Sequence, residues 1–265
     1  MIDVHRANHR PGTLNYLRDR LRIGVSRMLG DGASGGNLGG GLKFAFVVGC
    51  GHSGTSLIAS RLGLHRACHL IDGETLAFSP SRTRWGCRRS ILRWVAETRE
   101  SGRSIVIEKT PKHIHSLTRI RHFLPDAQFI AVSRNPLDTI ASLKKRFGCL
   151  NLAIERWNMD NEALALAVRE DAVLHVCFDE LTRNPEAGFR RVTDFLGIDW
   201  DPDVLASGKT GYTDAKRMFA ERLQQVAQPV THRVDRWREI LSIDEAESVL
   251  ARTSHAAALL GYGCR

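Results

Sequence analysis

Four short apolar segments, separated by segments of mixed polarity, constrain the fold of this chain most strongly. The apolar segments are 44–48, 104–107, 128–132 and 173–178. Each has the length of a buried strand. Between them lie segments in which apolar residues recur at helical spacing. Strands and helices that alternate in this way predict an α/β fold with a central parallel sheet and helices on both faces.

The remaining periodicity predicts helices and one domain boundary. The predicted helices are 56–64, 90–100, 113–122, 137–145, 153–169, 187–196, 221–225, 233–241 and 245–260. The C-terminal part is therefore mostly helical. Residues 1–42 combine a basic arm, one helix and a Gly-rich run that is typical of a flexible linker. We therefore predict a single main domain over residues 43–265.

The charge and cysteine content limit the function classes. The formal net charge is +9 at pH 7, and such an excess of cationic groups attracts polyanionic ligands. No RNA-binding aromatic signature or helix-turn-helix pattern occurs, so we do not expect a nucleic-acid partner. No apolar run approaches the ~20 residues of a membrane span, and the polar N-terminus is unlike a signal peptide. The six cysteines form no CxxC pair, which favours free thiols in a cytoplasmic protein over zinc ligands.

A glycine-rich turn directly follows the first predicted strand. It reads Gly49-Cys50-Gly51-His52-Ser53-Gly54-Thr55-Ser56 and precedes a predicted helix. Such a turn presents backbone N–H groups to an anion at the start of the helix. Gly49 and Gly54 have the spacing of the nucleoside-triphosphate loop, but Thr55 stands where that loop has its lysine. The pattern favours an anion site that is not a kinase loop; the alternative is a turn without a ligand.

A second candidate site follows the third predicted strand. Arg134 stands at the carboxyl end of that strand, where ligands bind in open α/β sheets. Pro136 is suited to the first turn of the next helix. Ser142 lies about two helical turns further along. Taken singly, Arg134 could form a surface salt bridge and Ser142 could pack between helices, but the joint pattern behind a phosphate loop favours a second ligand contact.

Together these two motifs resemble those of the sulfotransferases that use 3′-phosphoadenosine 5′-phosphosulfate (PAPS), in particular the bacterial members. The turn resembles the family's first signature, with His52 in place of a lysine or arginine. Arg134, Pro136, Asp138 and Ser142 match its second signature, R-x-P-x-D-x-x-x-S. The resemblance implies a P-loop-like three-layer fold. It also implies that Gly51, His52, Ser53, Gly54, Thr55 and Ser56 hold the 5′-phosphosulfate, and that Arg134 and Ser142 hold the 3′-phosphate.

Weaker matches extend the resemblance to about residue 241. Phe178 takes the place of a tyrosine that lies against the adenine in several members; the alternative is a core phenylalanine. The segment 231–237 resembles one that returns a basic residue to the 3′-phosphate, and Arg233 is our candidate for that residue.

The resemblance also implies catalytic residues. Glu74, in Gly73-Glu74-Thr75, resembles the G-E-T element of tyrosylprotein sulfotransferases and is the candidate general base; His113 and His115 are the alternatives. Lys109, in a K-T-P element, is the candidate cation at the transferring sulfuryl group, together with His52. Glu74 could instead be a solvated loop carboxylate. A basic segment after Glu74 could either cover the acceptor or form a solvated basic helix. Its arginines are Arg82, Arg84, Arg88, Arg89 and Arg93.

The expected function is therefore transfer of a sulfuryl group from PAPS to a hydroxyl, or less readily an amine, by in-line displacement without a metal. A divergent P-loop nucleotide kinase and a non-catalytic nucleotide- or nucleic-acid-binding module are the alternatives. The acceptor could be a carbohydrate, a lipid, a peptide tyrosine or a small metabolite.

Overall fold

The computed structural model describes residues 38–213, 220–232 and 235–262. The predicted basic arm, its helix and most of the Gly-rich run lie in residues 1–37, outside the described residues. Arg233 also lies outside them. Within the described ranges, no helix is both long enough and apolar enough to cross a membrane.

Five parallel strands form one sheet. They are β1 (Lys43–Gly49), β2 (Cys68–Leu70), β3 (Ile105–Lys109), β4 (Gln128–Ser133) and β5 (Val173–Cys177). Their order across the sheet is β2-β3-β1-β4-β5. The central strand β1 therefore pairs with both β3 and β4, so that Val47 lies between Lys109 and Ile130. This arrangement confirms the predicted parallel sheet and brings the carboxyl ends of β1, β3 and β4 to one edge.

The sequence pattern does not reveal strand β2. It has only three residues, with the polar His69 at its centre. Its pairing with β3 aligns Cys68 with Ile105 and Leu70 with Ile107. So short a run shows no hydrophobic period, and only its hydrogen bonding to β3 defines it as a strand.

Helices cover both faces of the sheet. The helices of the described residues are α1 (Thr55–Leu62), α2 (Arg84–Glu100), α3 (Leu117–Phe123), α4 (Pro136–Phe147), α5 (Leu150–Ala167), α6 (Phe178–Arg183), α7 (Pro185–Leu196), α8 (Ala220–Ala227) and α9 (Ile243–Leu259), with 3-10 turns at Pro111–His115, Pro202–Leu205 and Arg236–Glu239. On one face, α2, α3 and the end of α5 pack on Phe44 and Phe46. On the other, α1, α6, α7 and α8 pack around Ala45 and Val47. The structure is thus the predicted three-layer α/β fold with a helical C-terminal part.

A third apolar cluster is formed where helices α4, α5 and α9 pack together. Its buried members include Ile140, Ile154, Trp157 and Val249. Cys50, from the glycine-rich turn after β1, is buried in the same cluster. The helical layer therefore supports that turn from one side.

Two predicted helices differ from what the periodicity indicates. The segment 113–122 is divided into the 3-10 turn Pro111–His115 and the helix α3, separated at Ser116 with φ −129° and ψ 15°. Tertiary hydrogen bonds from the two histidines of the 3-10 turn to buried carboxylates account for this break. In the segment 233–241, the described residues form only the 3-10 turn Arg236–Glu239.

Candidate active site

The glycine-rich turn makes two close contacts with its neighbours. Gly49 has φ 133°, and a Cβ atom there would lie 2.2 Å from the carbonyl oxygen of Val132 in β4. Gly54 has φ 94°, and a Cβ atom there would lie 2.1 Å from the ring of Phe178. Only glycine fits at both positions, because the backbone packs directly on β4 and on this ring. The turn therefore places the N-terminus of α1 at the sheet edge. The Leu57 N–H already donates to the carbonyl of Gly54, so the N–H groups of Thr55 and Ser56 are the ones that can meet an anion there.

His52 joins the two sequence motifs. Its backbone has φ 69°, in the left-handed region. Its Nδ1 atom lies 2.7 Å from the Oγ atom of Ser142 in α4. The two residues are distant in sequence, so the sheet topology alone brings them together. The predicted 5′-phosphosulfate loop and the predicted 3′-phosphate residue thus lie within hydrogen-bond distance of each other.

Arg134 is held in place by its own segment. Its Nη2 atom donates to Oδ2 of Asp138 at 2.9 Å. Asn135 caps α4 by accepting the Asp138 N–H at 2.9 Å, and Pro136 is the first helical residue, as predicted. The backbone N–H of Trp237 also donates to Asp138, at 3.1 Å. Asp138 therefore orients the arginine from within the protein, since its side chain is almost fully buried.

Phe178 lies between the turn and Arg134. The guanidinium carbon of Arg134 is 5.3 Å from the centroid of its ring, close enough for a cation–π contact. Phe178 is the first residue of α6, although the sequence pattern places it at the end of the fourth predicted strand. The strand ends earlier because residues 178–183 form a helical turn. The ring packs against Gly54, and an adenine contact stays a prediction.

Glu74 and Lys109 form an ion pair at the same edge of the sheet. The Nζ atom of Lys109 lies 2.9 Å from Oε1 of Glu74. The side chain of Lys109, at the end of β3, is 1% exposed, whereas that of Glu74 is 42% exposed. The buried ammonium group thus meets a carboxylate that solvent or a substrate can reach. This is the arrangement that a base beside a fixed cation requires.

Both histidine alternatives lie in the interior. The Nε2 atom of His113 accepts the Phe78 N–H at 3.2 Å, and its Nδ1 donates to Glu108 at 3.0 Å. Both ring nitrogens of His113 are therefore occupied by hydrogen bonds within the protein. The Nε2 atom of His115 lies 2.7 Å from Oδ1 of the buried Asp160. Of the three candidate bases, Glu74 is therefore the exposed one.

Residues 74–202 match the model of the sulfotransferase family. The matched range contains Glu74, Lys109, Arg134 and Ser142. Protein-tyrosine sulfotransferase A of Caenorhabditis elegans is 27% identical to this chain over 134 residues. Both matches show that this chain is similar to sulfotransferases over its middle part. The alignment covers 46% of this chain and 35% of the worm protein, so the chain spans about a third of the length of this curated relative.

Solved structures share the fold of this chain. The sulfotransferase domain of the Synechococcus PCC 7002 olefin synthase has a TM-score of 0.58 and 20% identity, covering 83% of this chain and 94% of that one. Mouse sulfotransferase SULT7A1, solved in complex with PAP, has a TM-score of 0.57 and 14% identity, covering 86% of this chain and 94% of that one. At these identities the likeness concerns the fold. It agrees with the predicted α/β class.

The sequence pattern did not single out Glu108, which organises the surroundings of Glu74. This carboxylate is fully buried and accepts three hydrogen bonds, from Thr75 Oγ1 at 2.7 Å, Thr110 Oγ1 at 2.6 Å and His113 Nδ1 at 3.0 Å. Burial alone would raise the pKa of Glu108, but the interactions with His113, Thr110 and Thr75 lower it below its usual value. The only sequence signal is that a charged residue directly follows the apolar residues 105–107 in the same strand.

The Glu108 contacts attach the Glu74 loop to β3. Thr110 Oγ1 also accepts the backbone N–H of Thr75 at 3.1 Å. The N–H of Phe78 is held by His113, which itself donates to Glu108. The loop that carries Glu74 is thus bound at several points to the segment that carries Lys109.

Glu74 borders a cleft between its loop and helix α2. The cleft has a volume of about 370 Å³ and is lined by Asp72, Gly73, Glu74, Thr75, Arg82, Ser90 and Arg93. Two of the five arginines in the basic segment, Arg82 and Arg93, therefore line the same cleft as the candidate base. The other three lie elsewhere on the exposed surface of α2. In the described residues, no group of three or more His, Cys, Asp or Glu side chains is placed to hold a metal ion.

Proposed function

We propose that this chain transfers a sulfuryl group from PAPS to a hydroxyl acceptor. The observation that carries the proposal is the contact between buried Lys109 and exposed Glu74, at the sheet edge that also holds the glycine-rich turn. A cation and a base are the two groups that sulfuryl transfer requires beside an anion-binding loop. The match of residues 74–202 to the sulfotransferase family model supports the same reaction class.

The residues around the turn suit the two ends of the cofactor. The N-terminus of α1 carries no side-chain cap, so its N–H groups are available to the 5′-phosphosulfate. Arg134 and Ser142 would bind the 3′-phosphate, and Phe178 would lie against the adenine. For Arg233, the sequence resemblance alone supports a role in binding the 3′-phosphate. When bound, PAPS supplies the activated sulfuryl group.

The chain's own residues would then complete the transfer. The acceptor oxygen forms a bond to sulfur while the bond from sulfur to the phosphate oxygen breaks, and the electron pair stays on that phosphate oxygen. Glu74 takes the proton of the acceptor hydroxyl. Lys109, together with His52, offsets the negative charge that develops on the oxygens around sulfur. No metal is needed in this scheme.

The cleft beside Glu74 is the proposed acceptor site. Its polar lining and the two arginines suit a hydrophilic acceptor with a hydroxyl group. The name of the worm relative makes a peptide tyrosine one acceptor to test, beside sugars, lipids and small metabolites.

Two experiments test the proposal. Calorimetry compares binding of adenosine 3′,5′-bisphosphate (PAP) with binding of 5′-AMP and of Mg-ATP, and we expect PAP to bind far more tightly than either. Equal affinities for PAP and 5′-AMP would remove the role of Arg134 and Ser142, and preferential binding of Mg-ATP would favour a kinase. A screen with sulfur-labelled PAPS and cell extracts then identifies the acceptor by the label it gains.

A further inference from the structure

Helix α5 lies directly beneath the glycine-rich turn. Cys50 of the turn packs with Ile154 and Trp157 of α5 in one buried cluster. Arg156 stands on the same helical turn as these two residues. It is a basic residue next to the candidate phosphosulfate loop that neither sequence motif includes.

The guanidinium group of Arg156 is held at one side only. Its Nε atom donates to Oδ2 of Asp160 at 2.5 Å, and the other oxygen of this fully buried carboxylate lies 2.7 Å from His115 Nε2. The Arg156 side chain is 15% exposed. Among the residues that the structure describes, neither of its Nη atoms makes a hydrogen bond. The group is therefore positioned through Nε and presents two donors to a ligand.

The contacts of Asp160 and of α5 indicate where these donors lie. Asp160, which accepts from Arg156, also contacts His115 in the 3-10 turn that follows Lys109. Helix α5 itself packs on Cys50, at the beginning of the glycine-rich turn. Burial would lower the pKa of Arg156, but the Asp160 carboxylate outweighs it and raises the pKa. Arg156 is thus linked both to the glycine-rich turn and to the segment that follows the candidate cation Lys109.

We infer that Arg156 contacts the transferring sulfuryl group, as a further cation beside Lys109 and His52. The inference rests on the proposed function. The proposed nucleotide end of the site lies at Arg134 and Ser142, whereas Arg156 stands on the helix that packs on Cys50 and is linked through Asp160 to the 3-10 turn after Lys109. The sulfuryl group must pass between the phosphosulfate loop and the base. A fork of two N–H donors there binds two of the oxygens around sulfur, and Asp160 acts as the positioning residue for it.

The inference separates two ligands that differ only by the sulfuryl group. PAPS carries it and PAP does not, so loss of the Arg156 contact weakens PAPS binding selectively. We expect Arg156→Gln to raise the Kd of PAPS about tenfold or more, the scale of a charged hydrogen bond, and that of PAP by less than about threefold. Calorimetry with both ligands measures this without an acceptor.

Further variants separate this contact from a structural role. Arg156→Gln leaves the Asp160 carboxylate buried without its cation, so the double variant Arg156→Met/Asp160→Asn removes both charges. Arg156→Lys keeps one charge and should lose less PAPS affinity than Arg156→Gln. The matched control is Arg190→Gln, an exposed arginine of α7 paired with Glu186, which should change neither affinity. Thermal melting confirms that each variant is folded.

The possible results distinguish a failure of the Arg156 inference from a failure of the proposed function. Selective loss of PAPS affinity in the Arg156 variants supports the inference. Unchanged affinities, or equal losses for PAPS and PAP in Arg156→Lys and in the double variant, overturn it while the proposed function stands. A wild-type protein that binds neither ligand overturns the proposed function and the inference together.

Discussion

The two ends of the candidate site are built in different ways. At the nucleotide end, Arg134 is oriented by Asp138, four residues along the same segment. At the transfer end, Glu74 meets Lys109 from a separate loop, 35 residues away. The first contact forms within one segment, at the beginning of helix α4. The second forms only because the strand order and the buried hydrogen bonds around Glu108 bring two distant segments together. The proposed 3′-phosphate arginine is thus oriented by its own segment, whereas the proposed base and cation are brought together by the tertiary structure.

Replacing the candidate base should have the largest effect of all the variants. This effect should be confined to the transfer end of the site. We expect Glu74→Gln to lower kcat by about 10²–10⁴, because the amide cannot take the acceptor proton. The PAP affinity should stay unchanged, since no nucleotide-end residue is altered. Single-turnover rates with saturating PAPS and the acceptor from the screen measure the loss.

Lys109→Ala is the companion variant at the same end. It should also lower turnover, through lost charge stabilisation, yet keep the acid limb of the kcat/KM profile that Glu74→Gln loses. Near-native turnover in Glu74→Gln would refute the base assignment. A loss of PAP affinity in that variant would show that the two ends are not separable.

At the nucleotide end, Arg134→Ala should reduce binding rather than chemistry. We expect a loss of about 1.5–3 kcal/mol in PAP binding, the scale of a hydrogen bond to a charged group. Binding of 5′-AMP should hardly change, because it lacks the 3′-phosphate. Calorimetry with the two nucleotides gives the comparison, and an equal loss for both would place Arg134 at a different part of the ligand.

Thr75→Val tests how the tertiary network supports Glu74. The variant removes one hydrogen bond to Glu108 and should cost about 1 kcal/mol of unfolding free energy. Turnover should fall several-fold while PAP affinity holds. Thr193→Val is the matched control, since it removes a buried threonine hydrogen bond in α7 at a site remote from Glu74. If both variants had equal turnover, the Thr75 bond would be structural only.

The smallest expected effect is a pH dependence of stability at Glu108. Its folded-state pKa is lowered, so the stability it contributes is present above its ordinary pKa of 4.5 and is lost as the pH falls through the lowered value. Denaturant unfolding of wild type and Glu108→Gln should therefore differ most at neutral pH and converge in acid. A difference that is constant with pH would mean that the carboxylate has no shifted pKa.

Much of the fold could be predicted from the sequence because its signals are local. Alternation within a strand and periodicity within a helix need only neighbouring residues, and so does the turn from Gly49 to Ser56. The Arg134 segment is local for the same reason, since its proline, cap and i,i+4 ion pair all lie within one helical turn. Strand β2 could not be predicted, because a run of three residues is too short to show a hydrophobic period.

Only the tertiary structure decided which distant residues meet. Glu74 could be proposed from its G-E-T setting, but its contact with Lys109 exists because the loop after β2 is tied to β3 through Glu108. His113, an alternative base in the sequence, is buried because it contacts the same Glu108 carboxylate. The placement of Arg156 beneath the turn depends on how α5 packs against Cys50. Contacts of this kind depend on strand order and helix packing, which join residues far apart in the chain, and no pattern within a short stretch of sequence encodes them.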